Sequence, residues 1–145
     1  MEDKKSYTLE QVAAMTELSE RTIRNYLRLG VLRGEKVDGA WRFSEEAFEA
    51  FLEQDMVRQS LNAKTLGIIH DFLLQTGKPS PAVCAVLDYP AARDTALRAV
   101  IAEADSLLGR GQYHLQYRME RGHSRLTVTA APEGLAHLLA RLETA

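Results

Sequence analysis

Thr8 and Ser19 most constrain what this chain can fold into: each opens a short amphipathic segment, and only Thr16-Glu17-Leu18 separates the two. Thr8-Leu9-Glu10-Gln11 has the form of a capping box, in which a threonine oxygen takes an orphan amide and a glutamine three residues on answers it. Leu9, Val12 and Ala13 then mark the inner face of a helix ending near Met15. Ser19 is the next N-cap. The spacing predicts a second helix over Ser19–Leu29, with Ile23, Tyr26 and Leu27 on one side. Gly30 follows, suited to the left-handed conformation past a helix end. Two short helices joined by so tight a turn follow the helix-turn-helix plan.

The next stretch predicts a hairpin, or wing, over Arg33–Phe43. Asp38-Gly39 lies between two short extended runs, a pair that suits a turn needing positive φ at both central positions. Ser44-Glu45-Glu46 then starts a third helix, with serine as cap and two acids at its positive end. Ala47, Phe48, Phe51 and Leu52 give it one apolar face.

Charge has to be read by position. The chain holds 18 basic and 20 acidic side chains, and residues 1–53 alone carry 8 basic against 11 acidic, a net of −3. Residues 19–33 reverse the sign: four arginines (Arg21, Arg24, Arg28, Arg33) stand against one acid, Glu20. Arg21, Arg24 and Arg28 recur at spacings of three and four and so share a helix face, with Asn25 beside them. Arginine suits guanine edges and phosphates, and asparagine suits adenine edges. Lys36, Trp41 and Arg42 on the hairpin could reach flanking phosphates or the minor groove. Such a strip on the second helix of a helix-turn-helix is the arrangement that reads duplex DNA in the major groove. Taken alone, the same arginines would be read as a solvated helix face.

Ser19-Glu20-Arg21-Thr22-Ile23-Arg24-Asn25-Tyr26 with Leu29-Gly30-Val31-Leu32 resembles the recognition helix and exit turn of MerR-type regulators. Gly39-Ala40-Trp41-Arg42-Phe43-Ser44-Glu45-Glu46-Ala47-Phe48 resembles their wing and following helix, and is equally similar to small excisionase-type domains. The resemblance stops near Leu52. It implies base or phosphate contacts by Arg21, Thr22 and Arg24, a phosphate contact by Tyr26 and a wing contact by Arg42. Three positions depart from the MerR pattern: Glu17 stands where glycine is usual, Asn25 where tyrosine is, and Leu27 where glutamate is.

Beyond the hairpin helix, residues 54–78 predict a helical connector, of one helix or two, patterned by Leu61, Leu66, Ile69, Phe72 and Leu73 and ended by Gly77-Lys78-Pro79. Residues 79–145 predict a small βαββα domain. Ala82–Leu87 is continuously apolar, as in a strand covered on both faces. A helix after Pro90 would pack through Leu97, Val100, Ile101, Ala104, Leu107 and Leu108, ending at Gly109 and Gly111. Gln112–Glu120 and Ser124–Ala130 alternate, and a two-residue turn at Arg121-Gly122 sets Tyr117 opposite Leu126 and Leu115 opposite Val128. The polar face of that hairpin would carry His114, Gln116, Arg118 and Glu120 against His123, Arg125, Thr127 and Thr129. It reads as a solvated outer face. His114, Arg118, His123 and Arg125 could alternatively bind a small anionic effector. A last helix spans Pro132–Leu142. The fold class expected is therefore α+β: a winged helix-turn-helix in residues 1–53, a helical linker, and a C-terminal unit that resembles half of a ferredoxin-like fold in its element order.

The remaining chemistry is sparse. His70, Asp71, Asp88, His114, Glu120, His123 and His137 form no recognisable metal spacing, no glycine-rich loop could cradle a phosphate, and no nucleophile has a base near it in sequence. An enzyme, a cofactor or a metal is not expected. Cys84, the single cysteine, sits in an apolar run and reads as a core residue. Met1-Glu2-Asp3-Lys4-Lys5 leads into no apolar signal core, and no segment is apolar for long enough to span a bilayer, so the expectation is a cytoplasmic protein. The reading that follows is a dimeric, sequence-specific DNA-binding regulator whose C-terminal domain dimerises, senses a ligand or contacts another protein. An excisionase-type architectural factor and a winged module that binds protein instead of DNA are the alternatives.

Overall fold

The computed structural model describes residues 6–75 and 81–145. Its elements run β1 (Ser6–Thr8), α1 (Leu9–Thr16), α2 (Glu20–Arg28), β2 (Glu35–Val37), β3 (Ala40–Ser44), α3 (Glu45–Glu53), α4 (Asp55–Leu74), β4 (Val83–Pro90), a 3₁₀ turn (Ala91–Arg93), α5 (Asp94–Ile101), α6 (Ala104–Leu108), β5 (His114–Glu120), β6 (His123–Ala130) and α7 (Pro132–Thr144). The chain is α+β, as expected, and divides into two compact units at Lys64/Thr65, inside α4.

In the N-terminal unit the caps form as read. Thr8 Oγ1 accepts from the Gln11 amide at 3.1 Å, while the Gln11 side chain accepts from the Thr8 amide at 2.8 Å. Thr16 adds a cap that the sequence did not announce. Fully buried, it donates to the Val12 carbonyl at 2.8 Å and accepts from the Leu18 amide at 3.4 Å, closing the turn between α1 and α2. Glu17, where the resemblance has glycine, takes the left-handed conformation all the same, with φ at 61°. Past α2, the Gly30 amide donates to the Leu27 carbonyl at 3.1 Å and the Val31 amide to Tyr26 at 2.9 Å, a Schellman motif.

Asp38 and Gly39 have φ of 52° and 81°, which turns β2 into β3 as expected. Their register pairs Val37 with Ala40, Lys36 with Trp41 and Glu35 with Arg42. β1 joins the other side of β3 to give the order β1-β3-β2. That strand is too short for a period to reveal it. The core of the unit is Leu9, Val12, Ile23, Leu32, Phe43, Phe48, Phe51, Leu52, Val57 and Leu61, all nearly or fully buried.

α4 is one continuous helix. Gly77-Lys78-Pro79, expected to end it, lies outside the described residues. Its buried stripe is Val57, Leu61, Thr65 and Ile68, which keeps Leu61 of the expected apolar series but not the rest: Leu66 and Leu73 are exposed, Ile69 and Phe72 half-buried. Among the described residues no helix is long and apolar enough to cross a membrane.

The C-terminal unit has the βαββα order and an antiparallel sheet in the order β4-β6-β5. With β6 between them, β4 and β5 run parallel, the split arrangement of half a ferredoxin-like fold. The β5–β6 register is the expected one, pairing Leu115 with Val128, Tyr117 with Leu126 and Arg118 with Arg125. Tyr113, inside the alternating run expected as the strand, lies before β5. β4 corrects another expectation. Among the described residues it pairs with β6 alone, as an edge strand does; Val83, Cys84, Ala85, Leu87 and Tyr89 are half-buried, and Val86, Asp88 and Pro90 are exposed. Its apolar run therefore does not mark a central position. The helix expected after Pro90 is broken into a 3₁₀ turn and two helices, with the Glu103 amide reaching the Val100 carbonyl at the break between α5 and α6.

Candidate nucleic-acid interface

The interface begins with what α2 hides. Ile23 is fully buried and Tyr26 is 7% exposed, packed edge-on against Phe51 with ring centroids 5.4 Å apart. The helix thereby fixes its opposite side toward water, and Arg21, Arg24, Asn25 and Arg28 are all exposed there. Ser19 holds the N-terminal end, accepting from the Thr22 amide at 3.1 Å. Four of the residues read from sequence thus share one outward strip on a capped helix.

Their commitments differ. The side chains of Arg21, Arg24 and Arg42 make no hydrogen bond or ion pair among the described residues. Arg28 donates through Nη2 to the Asn25 side-chain oxygen. The Thr22 hydroxyl is 2.9 Å from Ser19 Oγ and belongs to the cap. Tyr26 does not join the strip: its hydroxyl lies 2.8 Å from Ser60 Oγ on α4. The hydroxyl to which the resemblance gives a phosphate contact is thus engaged with Ser60.

On the wing, alternation separates the three residues. Trp41 lies on the face of buried Phe43, the two rings stacked with centroids 6.4 Å apart, and Lys36 covers the indole at 5.4 Å from its centroid. Arg42 points to the other face and is exposed. Trp41 is therefore a support for the wing, with Lys36 and Arg42 as its outward cations. Two residues unmarked by the sequence reading set this geometry. A Cβ on Gly34 would lie 2.4 Å from the Phe43 ring and 2.9 Å from the Arg42 carbonyl, so only glycine lets β2 start so close to β3. Gln54 donates to the Val31 carbonyl at 2.5 Å, tying the exit of α2 to the start of α4.

In the C-terminal unit the polar hairpin face is not an open surface. Gln116 and Thr127 are fully buried and Arg118 is 6% exposed, and Thr65 on α4 reaches two of them. Thr65 donates to the Gln116 side-chain oxygen and accepts from Arg118 Nη1 at 3.1 Å, and Arg118 is also ion-paired with Glu120. Arg125 makes a two-point contact with Asp88 on β4, at 2.7 and 3.0 Å. His123 Nε2 is 3.7 Å from that same carboxylate. The hydrogen bond from Arg125 holds the Asp88 carboxyl below its ordinary range. His114 is exposed at the opposite end of the hairpin. The face is not uniformly solvated, and the four residues His114, Arg118, His123 and Arg125 stand in different settings: Arg118 is buried and ion-paired with Glu120, Arg125 and His123 lie beside Asp88, and His114 is exposed at the far end.

Residues 6–56 match the family described as Helix-turn-helix domain. No curated protein and no solved structure matches the chain. A domain of this kind points to DNA binding in a regulatory or excisionase-like role. The N-terminal part of this chain is an excisionase-like helix-turn-helix domain.

Proposed function

We propose that this chain is a sequence-specific, DNA-binding transcription regulator that acts as a homodimer, with α2 entering the major groove and the β2–β3 wing resting on the flanking backbone. The observation that carries the reading is the uncommitted state of Arg21, Arg24 and Arg42, exposed cations on α2 and on the wing. Held on rigid elements without acidic partners, they are free to neutralise phosphates or read base edges. A net charge of −3 over residues 1–53 supports pairing of two copies, because one strip in an acidic domain gives weak binding. Paired readers meet half-sites about 34 Å apart.

The C-terminal unit, residues 79–145 with the end of the helical connector, supplies the dimer seam in this reading. β4 offers an apolar strand edge with no described strand beyond it, and Leu66, Leu73 and Leu74 are exposed on α4. Fluorescence anisotropy with duplexes from the upstream region of its own gene tests the proposal. Binding should weaken steeply with salt, and Arg24→Ala and Arg42→Ala should each lower affinity. Binding identical in wild type and both variants sinks it.

The excisionase-like family match favours one second reading, an architectural factor that bends DNA for recombination. A circular-permutation gel assay separates the two, since an architectural factor bends its site strongly.

A further inference from the structure

Asparagine on a reading helix is ordinarily assigned to adenine. That pairing uses the whole amide: its oxygen accepts from the N6 amine while its nitrogen donates to N7. In this chain the Asn25 oxygen is already occupied by the Arg28 guanidinium, three residues on along the exposed side of α2. What the two side chains still present is one-sided. The Asn25 nitrogen carries two hydrogens, the guanidinium keeps its remaining N–H groups, and of the oxygen's two lone pairs one is taken, so donors far outnumber acceptors on this edge.

We propose that Asn25 and Arg28 form a single reading unit that selects guanine over adenine at the base pair they meet. The inference rests on α2 lying in the major groove. Guanine shows two adjacent acceptors there, O6 and N7, which match a donor-rich edge; adenine places an N6 donor beside N7, and cytosine shows an N4 donor. Donor set against donor in a desolvated interface leaves both unsatisfied, and that penalty exceeds the gain from a typical hydrogen bond. The contact between the two side chains also restrains both before DNA arrives, so less rotamer freedom is lost on binding. The donor-rich edge could equally meet a phosphate, which carries no base information, and the experiment separates these two sources.

The test is selection from a randomised duplex library by full-length wild type, Arg28→Ala and Asn25→Ala, followed by anisotropy on the selected sites. Both residues are exposed, and thermal melts of the variants check that the fold is retained. Wild type should enrich a guanine whose replacement by adenine weakens binding about fivefold, the low end for one bidentate contact. Arg28→Ala frees the Asn25 oxygen, so enrichment at that base pair should move to adenine. Asn25→Ala should keep guanine there with a smaller penalty for adenine. Two results overturn the inference while leaving the DNA-reading function intact: wild type enriching adenine at that base pair, or Arg28→Ala weakening every sequence equally, as loss of a phosphate contact would. Failure of wild type to enrich any sequence overturns the DNA-reading function itself, and this inference with it.

Discussion

The Tyr26 hydroxyl and Ser60 Oγ are 2.8 Å apart, which turns a residue of the reading helix into a bolt between α2 and α4. Tyr26→Phe should therefore cost stability, about 1 kcal/mol for one partly buried hydrogen bond, and leave DNA affinity almost unchanged. The salt dependence of binding discriminates. A phosphate ligand contributes about 0.9 to the slope of log K against log salt, and Tyr26→Phe should not shift that slope. A slope reduced by about that amount would restore the phosphate role that the resemblance implies.

Gly34→Ala should damage the wing. The added methyl meets the Phe43 ring and, at 2.9 Å, the Arg42 carbonyl, and backbone cannot step aside as a side chain can. Overpacking of this kind costs about 1–3 kcal/mol. Because β3 carries Arg42, thermal denaturation and DNA affinity should fall together. At Gly39, φ is 81° and no atom lies within 4 Å of a Cβ, so the cost of alanine there comes from backbone alone, about 1 kcal/mol.

A second buried pairing anchors the C-terminal unit. The Asp94 carboxylate accepts from the Tyr117 hydroxyl and from Ser124 Oγ, both at 2.5 Å, and is ion-paired with Arg98 Nε at 2.8 Å. Asp94→Ala strips a buried guanidinium of its carboxylate and should cost about 3–5 kcal/mol, read as a large fall in urea midpoint. Tyr117→Phe removes one of several bonds and should cost about 1 kcal/mol.

Burial and the bond to Asp94 push the Tyr117 phenol well above its ordinary value of 10.0. A raised folded pKa means that this contribution is intact below pH 10.0, the unfolded value, and is lost as pH rises above it. Absorbance titration of tyrosine should find Tyr117 protonated until the chain unfolds. Ionisation of all five tyrosines with ordinary midpoints in the folded protein would contradict this.

Asp88 behaves in the opposite sense. Its bond to Arg125 lowers the carboxyl pKa, so the β4–β6 clamp is intact above 3.8, its ordinary value, and weakens as pH falls below it. Half-exposed, the pair contributes at most about 1 kcal/mol. Carboxyl NMR should place the Asp88 midpoint below the ordinary one, and Arg125→Ala should return it.

Legibility in the sequence follows the range of the cause. The caps at Thr8, Ser19 and Ser44, the exit at Gly30 and the turn at Asp38-Gly39 are set within a few residues, and all appear where the spacing puts them. The β5–β6 register is equally local. Arg21, Arg24, Asn25 and Arg28 were legible as a strip because Ile23 and Tyr26 name the buried side. The losses are tertiary. Thr65 hid the true inner stripe of α4, since a polar residue breaks an apolar pattern while its hydroxyl satisfies Gln116 and Arg118. The polar hairpin face looked wet for the same reason: alternation says which residues share a face, and only the covering helix says whether water reaches it. Asn25 was assigned to adenine because nothing in the spacing shows its oxygen taken by Arg28.

Thr65 also bears on how such a protein could be shuffled. A C-terminal piece cut where the sequence changes character, near residue 79, would leave its sheet behind without the helix that roofs Gln116 and Arg118. Any transplant of this unit onto another DNA reader has to begin at Thr65 or earlier, carrying its half of α4 as part of the cargo.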